Sequence, residues 1–168
     1  MKKYISPFIC GFGAAVLQVV PLIKSFSCCL IIPFAAFISL SLDQKANKNY
    51  SNILMSKAFV FGIIIGLTSA IFSTFFDILI TAITKQNDLI TTLPELYKMI
   101  ENFPLDQMVK KEVITLFENV KNDLISYGFS WFYTITIFLN NVLVNTTFGV
   151  VGSLISASIL NNRNKNLE

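Results

Sequence analysis

Four long apolar runs, separated by one short and two longer polar stretches, make up most of the chain. The run over residues 58–84 is the clearest, because it contains a single charged side chain, that of Asp77. At 1.5 Å per residue, about twenty residues cross the hydrocarbon core of a bilayer. The pattern therefore predicts an all-α, polytopic membrane protein. Four transmembrane helices are expected, at about 5–23, 26–42, 55–84 and 128–160, in two hairpins.

The first hairpin is expected to turn at Lys24, and prolines mark both of its helices. Pro7 falls in the first turn of helix one and Pro21 near its end, where a missing N–H costs little or a helix can stop. Helix two crosses the bilayer only if Pro33 kinks it without breaking it. The alternative for this region is a secretory signal that ends in a lipoprotein-like cleavage site before Cys28.

Small and polar residues recur on one face of helix three and on one face of helix four. They are three or four positions apart, so that they lie above one another. The residues are Gly62, Gly66, Ser69, Ser73 and Asp77 in helix three and Asn141, Asn145, Gly149, Gly152 and Ser156 in helix four. Small residues let helix backbones approach closely in lipid. We therefore expect helices three and four to pack against each other through these faces.

The segment 87–127 is polar enough to lie outside the membrane, and its pattern is helical. Thr92 and Glu95, on either side of Pro94, match a capping box that opens a short helix. A second helix is expected after Pro104, because apolar residues recur there at threes and fours: Leu105, Val109, Val113, Leu116, Val120 and Leu124. We expect this amphipathic cap to pack on the helix bundle or on a partner. Docking on the membrane surface is the alternative.

Helix rise predicts which polar groups share a depth in the membrane. Measured from the inner ends of their helices, Lys24, Asp77 and Asn141 each lie about 28 to 30 Å along. A carboxylate inside a bilayer needs a partner or water. We therefore expect Asp77 to pair with Lys24 or to accept hydrogen bonds from Asn141 or Asn145, unless its carboxylate reaches headgroup water instead. Tyr127, Trp131 and Tyr133 are expected at the same interface, where aromatic residues are common.

Basic residues set the expected orientation. Lys2, Lys3, the 43–57 loop and the C-terminal segment contribute seven of them, all on one side of a four-helix arrangement. Short segments rich in lysine stay in the cytoplasm. Both termini are therefore predicted to be cytoplasmic, with the cap outside, in the periplasm of a bacterium.

Composition agrees with a membrane protein and argues against several functions. The chain is 54% hydrophobic, and its mean hydropathy is +0.64. It has no histidine, the most common general base and metal ligand. A net charge of +3, with one arginine, does not suggest a nucleic-acid surface. We expect no enzymatic activity, no catalytic residues, no cofactor, no metal ion and no nucleic-acid partner.

The three cysteines are expected to act as small packing residues. Adjacent Cys28 and Cys29 could form only a strained ring, and Cys10 lies about 27 Å of helix rise from the turn. A surface metal or thiol role for Cys28 and Cys29 is the alternative.

Region 53–165 combines a G-x-x-x-G third helix, a helical excursion and a glycine-rich last helix. In these features it resembles a family of small four-helix bacterial inner-membrane proteins known only as a domain of unknown function. The hairpin that starts Gly11-Phe12-Gly13-Ala14-Ala15 and continues to Cys28-Cys29 is similar to the start of other small bacterial membrane proteins. The resemblance implies four helices and a place in the inner membrane, and it supplies no catalytic residues.

An assembly role is the expected function, since small-residue faces and an amphipathic cap serve helix packing and docking without chemistry. The chain is then an accessory or structural subunit of a membrane complex, in contact with the lipid bilayer and with a protein partner or further copies of itself. The alternative is a small transporter or channel component that uses Gln18, Asp77 and the asparagines of the last helix.

Overall fold

The structure is a computed structural model that describes residues 4–20, 27–48 and 51–165. All regular secondary structure in these ranges is helical, as predicted from the sequence. The elements are α1 (Ile5–Gln18), a π-helical turn (Ser27–Ile31), α2 (Ile32–Asn47), α3 (Met55–Thr84), α4 (Asp88–Asn102), α5 (Gln107–Tyr127) and α6 (Trp131–Lys165).

Three helical stretches are long and apolar enough to cross a bilayer: Cys29–Asn47, Met55–Thr84 and Trp131–Asn164. They are consistent with a membrane protein. The first helix is apolar but shorter, with 14 residues over Ile5–Gln18. Its length of about 21 Å is less than the thickness of the hydrocarbon core. The prediction of a fourth span therefore depends on α1.

Pro33 is accommodated by a change in helix type and does not break the second span. The residues Ser27–Ile31 form a wider π-helical turn, and α2 follows with Pro33 in its first turn. Proline lacks an N–H, and its ring displaces the carbonyl four residues earlier, so a wider turn at this point relieves the clash. The helical path then continues to Asn47, beyond the predicted end at residue 42.

The chain forms two compact units, one of residues up to Phe76 together with those from Ile137 onward, and one of Asp77–Thr136. In the first unit, α1 packs along α2, and Ser6 Oγ donates a 2.6 Å hydrogen bond to the Ser39 carbonyl. The first core cluster comprises Leu40, Ile53, Ala58, Phe61, Ala157 and Leu160, and the second comprises Ala14, Ile32, Ala35, Ala36 and Ile65. Because many of these side chains are small, the helices lie close together.

Large apolar side chains cover the outside of the first unit. Examples on the three long helices and α1 are Phe8, Ile9, Phe34, Ile71, Phe75, Leu143 and Ile155, all exposed. A surface of this kind suits lipid, in which apolar side chains need no burial against protein.

The second unit contains α4, α5 and the ends of α3 and α6 that adjoin them. Its buried apolar residues include Leu93, Val120 and Leu124. Both of its own helices start at a side-chain cap: Asn87 accepts from the Leu89 N–H, and Asp106 accepts from the Met108 N–H. At the far end of α5, Gly128 has φ +72°, and a Cβ there would lie 2.9 Å from the Ala82 Cα. Glycine is therefore required both by conformation and by space.

The predicted capping box of Thr92 and Glu95 is wrong. The helix begins one turn earlier, at Asp88, with Pro94 inside it. Thr92 Oγ1 instead donates to the Asp88 carbonyl. Asn87 is a strong N-cap residue, and Pro94 lies inside the helix, where it removes only the hydrogen bond to the carbonyl four residues earlier.

Candidate functional site

Glycines bring the backbones of α3 and α6 into direct contact. A Cβ on Gly62 would lie 2.6 Å from the Gly149 carbonyl oxygen, and one on Gly149 would lie 2.5 Å from the Gly62 oxygen. One turn further along, a Cβ on Gly66 would lie 2.7 Å from the Asn145 oxygen. Real Cβ atoms do not approach so closely, so only glycine permits this spacing.

Two further glycines form contacts of the same kind with other helices. A Cβ on Gly152 would lie 2.5 Å from the Cα of Pro33 in α2, and one on Gly11 would lie 2.9 Å from the Ile65 oxygen in α3. Ser69, Ser73 and Ser156, the remaining small residues of the two faces, are buried. The first unit thus contains small-residue contacts that link α1 to α3, α3 to α6 and α6 to α2.

A buried hydrogen-bond network joins three helices at the level of Asn145. Gln18 Nε2 donates to Ser69 Oγ at 2.6 Å, and Asn145 Nδ2 donates to Gln18 Oε1 at 3.2 Å and to Ser69 Oγ at 3.4 Å. All three side chains are buried. One turn away, Asn141 Nδ2 donates to Thr74 Oγ1 at 2.9 Å. These amides therefore connect α1, α3 and α6 through polar bonds that are expensive to break in lipid.

Asp77 belongs to the second unit, and its hydrogen-bond partner there is Tyr133. From the sequence, Tyr133 was expected only to lie at the membrane interface. The Tyr133 hydroxyl donates to Asp77 Oδ2 at 3.2 Å. It also accepts from Asn87 Nδ2 at 2.9 Å, and the same amide donates to Thr81 Oγ1 at 2.9 Å. Asn87 therefore both caps α4 and holds the hydroxyl that reaches Asp77. Lys24, the predicted ionic partner, lies outside the described residues.

Polar side chains also pair in the part of the first unit where α2 ends and α3 begins. Lys57 forms an ion pair with the buried carboxylate of Asp43, and Asn47 Nδ2 donates to Asp43 Oδ1 at 3.1 Å. Asn161 clamps the backbone of Ile53, accepting from its N–H at 2.7 Å and donating to its carbonyl at 3.1 Å. No local pattern indicates these two bonds, since the two residues are 108 positions apart.

Cysteines and carboxylates do not assemble into a metal-binding group of three or more anywhere in the described parts of the chain. Cys10 is half-buried between α1 and α2, and Cys29 is exposed on the helical turn before α2. Cys10 is a free thiol.

Comparison of the chain with protein-family models, with curated proteins and with solved structures finds no match in any of the three. The resemblance to a family of small four-helix inner-membrane proteins therefore stays a prediction. What the fold and the contacts define is an all-helical protein with membrane-length helices that pack through glycine and amide contacts.

Replacing Gly66 by leucine should separate α3 from α6. The added side chain meets the backbone of Asn145 and Thr146 and not the end of a flexible side chain. Overpacking of a tight core costs about 1 to 3 kcal/mol or more. We expect Gly66→Leu to lower the thermal unfolding midpoint in detergent by several degrees.

Gly13→Leu is the matched control, because a Cβ at Gly13 meets nothing within 4 Å. Both variants exchange a helical glycine for leucine, so they differ mainly in the space around the side chain. Equal unfolding midpoints for the two would contradict the packing described for Gly66.

Loss of the Asp77 carboxylate should leave the Tyr133 hydroxyl without this acceptor. Because the pair is partly buried and the hydroxyl keeps its Asn87 donor, the loss should be about 0.5 to 1.5 kcal/mol, the net contribution of one hydrogen bond. Asp77→Asn retains a carbonyl oxygen and should cost less than Asp77→Ala. The measurement is a double-mutant cycle of Asp77→Ala with Tyr133→Phe, followed by thermal unfolding. We expect the two changes to be coupled by about 1 kcal/mol; strict additivity would show that the hydrogen bond does not contribute.

Proposed function

We propose that the protein is a multi-pass membrane protein that crosses the bilayer four times, with α1 as the fourth span. Three observations support this count. The first helix is apolar, it packs along α2, and its outer face exposes Ile5, Phe8, Ile9 and Phe12 in the manner of the long helices. A hydrophobic segment shorter than the bilayer can be accommodated by local thinning or by flanking residues that reach the interface, at a modest cost per Å.

Its role, we infer, is assembly: an accessory or structural subunit of a membrane complex. The observation that carries this proposal is the use of the polar side chains inside the first unit. Gln18, Ser69 and Asn145 are bonded to one another, and Gly62, Gly66 and Gly149 are in contact with the backbone of the facing helix. Such residues hold helices in a fixed arrangement and need no ligand to do so. The second unit then offers surface for a protein partner or for a further copy of the chain.

A transporter or channel component is the second candidate. It is favoured by the position of the Gln18, Ser69 and Asn145 network between three apolar helices, because buried polar groups in spanning segments often line substrate paths. In the second unit, the same candidate function uses Asp77, an ionisable group that accepts from the Tyr133 hydroxyl.

Purification of the tagged full chain after mild detergent extraction separates the two candidates. An assembly subunit should copurify with a stoichiometric protein partner or as a defined oligomer. A monomer that supports substrate-dependent flux after reconstitution would contradict the assembly role. In that case Asp77→Asn should abolish flux and leave the fold intact.

Orientation follows from the distribution of basic residues, and we propose that both termini face the cytoplasm of a bacterium, with 87–127 outside. Single cysteines at Lys110 and at Lys48, in a background without the native cysteines, provide the test. An impermeant thiol reagent should label the first and not the second in intact cells with a permeable outer envelope. Labelling of position 48 alone would show that the protein has the opposite orientation.

A further inference from the structure

A groove of about 990 Å³ runs along one side of α5 in the second unit and ends at the start of α6. Asn119, Asp123 and Tyr127 line it at successive steps of four, so that they follow one another along a single face of α5. Trp131 and Phe129 close the end, with 5.4 Å between their ring centroids. The lining at the α6 end therefore combines a carboxylate, a side-chain amide and several aromatic rings.

The α6 end of the groove lies at the level of the lipid headgroups when the chain is placed in a bilayer as proposed above. Asp77 is the first charged residue of α3 after Lys57, twenty positions earlier. Twenty residues of helix span about 30 Å, the thickness of the hydrocarbon core. The Tyr133 hydroxyl donates to Asp77, so the first turn of α6 lies at an edge of that core. Trp131, two residues before Tyr133, begins a membrane-length helix, and tryptophan is common at headgroup level.

The aromatic rings at this end are open, and the carboxylate among them has no partner. Tyr127 is 79% exposed and Trp131 is 72% exposed. Asp123 is half-buried, and it forms neither an ion pair nor a side-chain hydrogen bond with any residue that the structure describes. A carboxylate attracts a cation by its charge, and the faces of aromatic rings add to this attraction.

Two acceptors one turn apart favour a primary ammonium group over a quaternary one. An ammonium group of the lysine type has three N–H donors, whereas a trimethylammonium group has none. Side chains four positions apart on a helix have Cβ atoms about 5 to 6 Å apart, so Asn119 and Asp123 can accept from the same group.

An anionic headgroup finds no such match at the α6 end of the groove. Among the described residues of the lining, Lys111 is the only basic one. It lies twelve positions before Asp123, at about 18 Å of helix rise. A surface for anionic lipid would instead carry an excess of basic residues.

We propose that the α6 end of the α5 groove binds the primary ammonium headgroup of a zwitterionic phospholipid of the phosphatidylethanolamine class. Asp123 supplies the opposite charge, Asn119 supplies a second acceptor, and the rings of Tyr127 and Trp131 border the group. The inference rests on the proposed placement of the chain in a bilayer. It holds for an assembly subunit and for a transporter component alike.

Fluorescence of Trp131 reports on the groove directly, because the chain has one tryptophan. The full-length protein is reconstituted into phosphatidylcholine vesicles with a fixed fraction of a choline lipid that carries a nitroxide quencher on its headgroup. In two further preparations, about half of the phosphatidylcholine is replaced by phosphatidylethanolamine or by phosphatidylglycerol. Phosphatidylethanolamine in the groove should keep the quencher away from Trp131. We expect it to bind about threefold more tightly than phosphatidylcholine, the scale of one hydrogen bond to an exposed charged group.

Substitution of Asp123 tests which side chain selects the headgroup. Asp123→Asn removes the negative charge and replaces a carboxylate oxygen by an N–H donor, so protection by phosphatidylethanolamine should be lost. Glu118→Gln is the matched control, because it removes the same charge from α5 outside the groove lining and should retain the protection. Circular dichroism of both variants verifies the helical fold.

Equal quenching of the wild-type protein in phosphatidylethanolamine and in phosphatidylcholine would overturn the proposal, and so would protection that persists in Asp123→Asn. Stronger protection by phosphatidylglycerol would assign the groove to an anionic lipid and would overturn it as well. In each of these cases quenching still occurs, so the placement of the chain in the bilayer stands. Absence of quenching in every vesicle would contradict both, because Trp131 would then lie away from the headgroups.

Discussion

The backbone contact between α3 and α6 is the constraint on which the first unit depends. In lipid the hydrophobic effect does not drive helices together, so van der Waals packing at short range has to supply the attraction. Gly62 and Gly149 remove the side chains that would keep the two backbones apart. Once the backbones touch, Asn145 comes within reach of Ser69, and Gln18 of α1 can bond to both.

Polar groups extend this arrangement to both ends of the long helices. Asn161 holds the chain before α3 by its backbone, and Lys57 neutralises the buried Asp43. In the second unit, Asn87 serves two purposes, because its oxygen caps α4 while its amide group fixes the Tyr133 hydroxyl. Each of these bonds satisfies a group whose burial would otherwise be costly. Side-chain amides, and not charges, perform most of this work.

Periodicity in the sequence was sufficient to predict the helical class and the small-residue faces of α3 and α6. Spacings of three and four residues are a local property, and they survive folding unchanged. The start of α6 was less accessible to prediction: the apolar run begins earlier, but Gly128 in its left-handed conformation ends α5 and delays the helix to Trp131. The start of α4 was predicted one turn late, because proline is typical of the first turn of a helix, whereas Pro94 lies further inside this one and Asn87 is the N-cap.

Contacts between distant parts of the chain could not be derived in this way. Gly11 and Gln18 were visible as a glycine and an amide in helix one, but nothing local indicates that they meet Ile65 and Ser69. Asp77 was expected to find Lys24 or an asparagine from helix rise alone. Rise fixes depth along a helix and says nothing of rotation about its axis, and it is rotation that decides whether Tyr133 meets the carboxylate.

Direct measurement of the distance between Gly62 and Gly149 tests the account most sharply. The chain has seven glycines, so glycine-selective isotope labelling gives few signals in solid-state magnetic resonance spectra of the protein in lipid bilayers. We expect a cross-peak between the backbone carbons of these two residues, corresponding to a separation of about 5 Å or less, as close helix approach requires. Absence of this cross-peak would contradict the backbone contact and with it the proposed packing of the first unit, because ordinary packed helices hold their axes about 8 to 10 Å apart.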